Sequence, residues 1–201
     1  MKKRVVGLLL VAVGLLVAGC GGATSTSTTS TSTSPSPSPS PSPTVLTNAD
    51  LLTKFLADVK PVRLRYKNLE RRLNHVIWSG DVAHPTLDST WAPAGRKVGK
   101  LTNEYDGIMV DLQVVDVPAF MRPAMMSLLK GLRIERKMYD RVGNWFVNKE
   151  SWGGSTSNGK LFDKLHSDYG EALNAWVIKV KLEAKRLGVK VPWKWTKPSP
   201  P

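Results

Sequence analysis

The sequence predicts an all-α fold: an up-down-up-down four-helix bundle that follows a disordered linker. Three observations carry that expectation. From Leu52 to Leu187 apolar residues recur at spacings of three and four, the period of a helix with one face against a core. The periodic stretches are separated by short clusters rich in Gly, Pro, Ser and Asp. No run of alternating β-branched residues reaches strand length; Val114, Val115 and Val117 come nearest and have no partner run.

The first helix is read from Leu52, Phe55, Val59, Val62, Tyr66, Leu69, Leu73 and Val76. Thr47 with Asp50 three residues later forms a capping box at its start. Pro61 is expected to kink it near 57–60 rather than end it, and Ser79-Gly80-Asp81 is the expected stop. The second helix begins between Asp88 and Pro93 and carries Ala94, Val98, Leu101, Tyr105, Ile108, Leu112 and Val115. Gly95, Gly99 and Gly107 each weaken it by about 1 kcal/mol relative to Ala, or else permit a close helix–helix approach.

The third helix begins either at Asp116, with Pro118 in its first turn, or at Pro123. Its seam is Met125, Leu128, Leu132, Tyr139, Val142 and Phe146. Glu135 falls on that seam. The expectation is that it tilts outward or pairs with a neighbouring arginine; a functional buried carboxylate is the alternative. A loop at 150–157 containing Gly153-Gly154 leads to the fourth helix, with Phe162, Leu165, Tyr169, Leu173, Trp176, Val180, Ala184 and Leu187 as its stripe. Gly188 is the expected C-cap, and Pro192 stops the chain from continuing. Near-heptad spacing favours left-handed packing at about +20°.

Ahead of this domain (46–201) the composition changes abruptly. Residues 21–44 alternate Ser and Thr and then repeat Ser-Pro. Such a stretch buries too little apolar surface to offset ordering entropy. As an extended tether of about 3.1 Å per residue it reaches roughly 75 Å. Ser/Thr-Pro stalks are also candidates for O-glycosylation. Residues 1–19 have the anatomy of a removable secretory signal. Lys2, Lys3 and Arg4 precede an apolar run from Val5 to Ala18, and small residues stand before Cys20. The run falls short of the roughly 20 residues that span a bilayer. The segment Leu16-Val17-Ala18-Gly19-Cys20 resembles the lipobox of bacterial lipoproteins. That resemblance implies cleavage before Cys20, a diacylglycerol thioether on its sulfur, and a membrane-anchored domain on the extracytoplasmic face. Cys20 is the single cysteine of the chain, and lipidation accounts for it without a disulfide partner.

The formal charge is +13, from 29 Lys and Arg against 16 Asp and Glu. It is unevenly spread. Residues 48–79 hold seven basic and three acidic side chains, 117–149 seven and two, but 88–116 three and five. The acidic second helix is expected to neutralise part of its basic neighbours. The rest points to an anionic partner such as a cell-wall polymer, lipid headgroups or an envelope protein, and not to nucleic acid. Arg63, Lys67, Arg71, Arg133, Arg136, Lys137, Lys190, Lys194 and Lys197 are the candidate contacts. The tail Trp193-Lys194-Trp195 suits either a membrane interface or a segment folded back over the bundle end.

Catalytic and cofactor chemistry finds little support. His75, His84 and His166 lack ligand partners at metal spacing, no Glu-x-x-His pair suggests a di-iron bundle, and no phosphate loop or nucleophile elbow is present. Met121, Met125 and Met126 read as core filler rather than a copper site. Glu104, Asp106 and Asp111 read as salt-bridge partners rather than a carboxylate pair. The sequence thus predicts a non-enzymatic, lipid-anchored binding domain without cofactor or metal. A small-ligand or metal-binding bundle is the alternative.

Overall fold

The chain from 44 to 201 is one compact unit. A computed structural model describes residues 45–78, 88–152 and 155–194, with backbone alone for 88–90. Those residues are all-helical, without strand. The signal, Cys20, the linker to residue 44, Ser79-Gly80-Asp81, His84, Gly153-Gly154, Trp195 and Lys197 lie outside them.

Helix α1 spans Asn48–Trp78. The capping box forms as the sequence predicts. The Asp50 N–H donates to Thr47 Oγ1 at 3.2 Å and the Thr47 N–H to Asp50 Oδ2 at 3.0 Å, so two otherwise unpaired donors are satisfied. Pro61 lies inside an unbroken helix. The second predicted helix is in fact two: α2, Asp88–Thr102, and α3, Glu104–Gln113, divided at Asn103. The local chemistry explains the division, because Thr102 Oγ1 donates to the Gly99 carbonyl at 2.9 Å and so competes with the regular ladder.

A single 3₁₀ turn, Ala119–Met121, then leads into α4, Arg122–Asn148, with Pro123 in its first turn. Of the two starts the sequence allows, the one at Pro123 is used, because proline there removes an N–H that would have no partner anyway. Lys149 ends α4 in the left-handed conformation, at φ 57°. Thr156 caps α5, Ser157–Leu187, by accepting from the Gly159 N–H at 3.0 Å, and Gly188 closes it at φ 67°.

The core is built from the predicted stripes. Phe55, Leu69, Leu73, Tyr105, Ile108, Val142, Phe146, Trp176 and Val180 are all essentially inaccessible to solvent. Helix α4 packs most extensively, on α5 and on α2. At the α2–α4 crossing the helices meet through glycine: a Cβ on Gly95 would stand 2.4 Å from the Gly143 carbonyl oxygen. Gly95 thus permits the close approach, whereas a Cβ on Gly99 would meet nothing within 4 Å. By contrast α1 and α5 share few close backbone contacts, and a cavity lined by both opens there. After Gly188 the tail folds back. Val189, Val191 and Trp193 pack against the core, the Arg63 guanidinium lies 5.3 Å above the Trp193 ring, and it donates to the Lys194 carbonyl at 3.3 Å.

Candidate ligand-binding site

The charged residues divide α1 into two stripes. Arg65 and Arg72, two turns apart, face the acidic helix α3, where Arg65 pairs with Asp111 and Arg72 with Glu104. From α4, Arg136 reaches Asp106 at 3.0 Å. The acidic residues of the predicted second helix therefore serve as interhelical ion pairs. These pairs are half-exposed, so each contributes at most about 1 kcal/mol.

Arg63, Lys67 and Arg71 follow one another at four-residue spacing on another face of α1, which turns toward α5. Together with Lys181 they stand on the rim of a cavity of about 860 Å³, the size of a small-molecule site. Its walls are mainly apolar: Val59 and Val62 from α1, Ile108 and Leu112 from α3, Leu128 and Leu132 from α4, and Leu173, Trp176 and Val177 from α5. Polar side chains enter at Tyr66, Glu70, Asn74, Tyr169 and Asn174.

Behind Tyr66 and Tyr169 lies the least expected feature of the protein. Glu135 is 1% exposed. It neither tilts outward nor pairs with an arginine, and among the described residues it has no ion-pair partner. The reason is packing: its neighbours on α4, Leu132 and Tyr139, are themselves buried, so its direction is set by the helix face. Its surroundings are phenolic. The chain has four tyrosines, and all four converge here, one each from α1, α3, α4 and α5. Tyr66 and Tyr169 share a hydroxyl–hydroxyl bond of 2.6 Å. Tyr105 stacks on Tyr139 with ring centroids 6.4 Å apart, and the Tyr139 hydroxyl donates to Asn74 Oδ1 at 3.1 Å.

Burial pushes the Glu135 carboxyl up to about 8, and the neighbouring Glu70 carboxylate adds to the effect. The hydroxyls of Tyr66, Tyr105 and Tyr169 partly offset it. Burial likewise raises all four phenols, so they stay protonated. Glu70 is raised too, by burial against the pull of Lys67 and Arg63. Among the described residues neither Glu135 Oε2 nor Tyr105 Oη completes a hydrogen bond of ordinary geometry, so the phenols act on the carboxyl as nearby dipoles. A buried carboxylic acid ringed by neutral donors is the state this environment favours.

The remaining predicted contacts do not gather here. Arg133 and Lys137 are exposed on α4, and Arg136 is committed to Asp106. Lys190 and Lys194 are exposed on the folded-back tail. Met121, Met125 and Met138 are buried in the core while Met126 is 63% exposed. Among the described residues no three His, Cys, Asp or Glu come close enough to hold a metal ion, and no helix is long and apolar enough to cross a membrane. Sequence reasoning missed Lys181, Glu70 and the convergence of the tyrosines. Each tyrosine was visible as a seam residue, but their common depth depends on helix register, which spacing alone does not set. No family model matches this chain, and comparisons with curated proteins and with solved structures give no match.

Proposed function

We propose that this protein is a lipid-anchored, extracytoplasmic and non-enzymatic domain that holds a single-chain anionic amphiphile between α1 and α5. One observation carries the reading: an apolar cavity of about 860 Å³ has four cations, Arg63, Lys67, Arg71 and Lys181, at its rim. The apolar walls suit a hydrocarbon chain, whose burial contributes about 0.8 kcal/mol per methylene. The cationic rim suits a phosphate or carboxylate head. The anionic partner suggested by the charge thus becomes the head of a bound molecule rather than an extended surface. Non-enzymatic binding is part of the proposal, and what supports it is that cations and apolar walls make up most of the lining, with Glu70 set among the cations.

The helices fit an up-down-up-down four-helix bundle in which α2 and α3 together make the second leg. Support comes from the packing of α4 on both α2 and α5 and of α1 on both α2 and α3. Cys20 is the proposed lipid attachment, and the proposed location is the outer face of the cell membrane.

The test is calorimetric titration of dodecyl phosphate, below its micelle concentration, into the chain from residue 21 onward, which keeps the whole compact unit 44–201. Saturable binding at one site is expected. Leu173→Trp, which narrows the apolar wall, should weaken it, and Arg71→Glu should weaken it at least tenfold, with the weakening reduced at high salt. Binding unchanged by both substitutions would refute the cavity as the site.

A further inference from the structure

We infer that α4 carries a second contact surface, the row Lys130, Arg133, Lys137 and Arg141, and that its partner is a linear phosphodiester polymer with a short repeat. The inference stands apart from the cavity reading and does not depend on it.

The cavity and the acidic helix α3 account for cations of α1 but leave those on the outer face of α4. Sequence steps of three, four and four residues put Lys130, Arg133, Lys137 and Arg141 on one side of the helix, each about 4.5–6 Å beyond the last along the axis. From 130 to 141 these four are the exposed residues, and every other residue is buried or half-buried.

None of the four forms an ion pair among the described residues. Cations on other faces do: Lys54 with Asp116 at 3.3 Å, Lys164 with Asp168 at 2.6 Å, Lys179 with Glu183 at 2.7 Å, and Arg136 of α4 itself with Asp106 at 3.0 Å. The acidic residues of α4 are Glu135 and Asp140. Glu135 is turned into the core, and Asp140 is half-buried and makes no ion pair among the described residues. Like charges at these spacings repel, and an anionic partner relieves that repulsion.

The form of the row selects the partner. A bilayer contact needs apolar side chains among the cations to reach the interface, and the apolar face of α4, with Leu128, Leu132 and Val142, is committed to the core. A single-stranded nucleic acid is held through aromatic rings that stack on its bases, and none is exposed along this row. A flexible chain with one phosphate in each short repeat matches four cations in line, and the two guanidinium forks suit its paired oxygens. A polymer with one charge per two sugars would leave alternate cations unmatched.

The probe is an end-labelled poly(glycerol phosphate) chain, titrated by fluorescence anisotropy with the protein from residue 21 onward. Saturable binding is expected. It should weaken about twentyfold from about 50 to about 150 mM salt, the slope for about four phosphates neutralised on a single-stranded polyanion. Lys130→Glu combined with Lys137→Glu should weaken binding by about tenfold or more. Lys60→Glu combined with Lys190→Glu makes the same change of net charge on α1 and the tail, and should weaken it by less than about threefold. Circular dichroism shows whether each variant keeps its helices. Lys130→Gln combined with Lys137→Gln gives a second reading of the row, with a loss between those of the two charge-reversed proteins.

Equal loss in the two charge-reversed proteins overturns the inference, because net charge alone then carries the binding. Absence of polymer binding overturns it as well. So does tighter binding, per phosphate, to vesicles of equal parts phosphatidylglycerol and phosphatidylcholine or to oligothymidylate than to the polymer. Failure of dodecyl phosphate to bind removes the cavity reading and leaves this one standing.

Discussion

Replacing Glu135 with Gln should make the protein more stable at neutral and alkaline pH, and the gain should grow with pH. The carboxyl has an ordinary pKa of 4.5 and is pushed up to about 8 by burial in the fold. Between those values the native state holds a proton that the unfolded chain has released. The stability contribution is thus full below about pH 4.5, declines as pH rises, and levels off above about pH 8. At 1.36 kcal/mol per pKa unit, the interval from 4.5 to about 8 amounts to about 5 kcal/mol, of which about 3 is already lost at pH 7. Groups facing the carboxyl are Tyr66 and Glu70 on α1, Tyr105 on α3, Tyr139 on α4 and Tyr169 on α5. The tyrosines stay neutral across this range, and Glu70, itself raised, is present in both proteins. Carboxyls with lowered pKa, such as Asp50, held down by its hydrogen bonds to Thr47, slope the other way but cancel in the difference. Gln keeps the shape and cannot ionise. Urea unfolding at pH 5, 6, 7 and 8 should show the variant's advantage rising by about 1 kcal/mol per pH unit. Parallel profiles for the two proteins would refute the reasoning, because Glu135 would then be ionised or solvated in the native state.

Gly95→Ala should destabilise by about 2 kcal/mol, since the added methyl forces α2 from α4. Gly99→Ala and Gly170→Ala, whose added carbons meet nothing within 4 Å, should each gain about 0.5–1 kcal/mol in the same urea assay. Thr47→Ala should cost about 1 kcal/mol by removing the reciprocal cap, measurable as a lower urea midpoint. Trp193→Ala should speed hydrogen exchange of the 189–194 amides with little effect on α4, because its ring is what Arg63 holds; unchanged exchange there would show that the tail is held by other contacts. At the N-terminus, mass spectrometry of the native protein should find residue 20 first and carrying acyl chains. An unmodified Cys20 or a retained Met1 would end the lipoprotein reading.

What the sequence made legible was whatever depends on local periodicity. The stripes on α1, α4 and α5, the Thr47–Asp50 cap and the Gly188 stop all follow from spacing and from the conformational needs of single residues. The break at Asn103 was harder to read, because it turns on one hydroxyl bond from Thr102 to Gly99 set against an otherwise continuous apolar pattern. Glu135 was visible on its seam, yet its fate was not. A lone carboxylate on an apolar face reads as paired or tilted unless one knows which helices face it. Three of the four tyrosines around it come from other helices, up to 69 positions away in the case of Tyr66. The cationic rim was half legible: Arg63, Lys67 and Arg71 share a face by spacing, but Lys181 joins them only because α1 and α5 stand apart.

The two stripes of α1 also change what the basic excess means. A uniformly basic helix would serve as well against a wall polymer as against a lipid surface. Here Arg65 and Arg72 pair with the acidic helix, while Arg63, Lys67 and Arg71 line a cavity with mainly apolar walls, Arg63 also holding the folded-back tail. Charge directed into a cavity discriminates by size as well as by sign, which an extended polymer does not satisfy and a single amphiphile does. The proposed tether then has a physical purpose. A single-chain amphiphile partitions strongly into the bilayer, so its concentration is highest at the membrane surface. On the proposed reading, a domain held within roughly 75 Å of that surface would meet such a ligand where it is most concentrated, without itself entering the lipid.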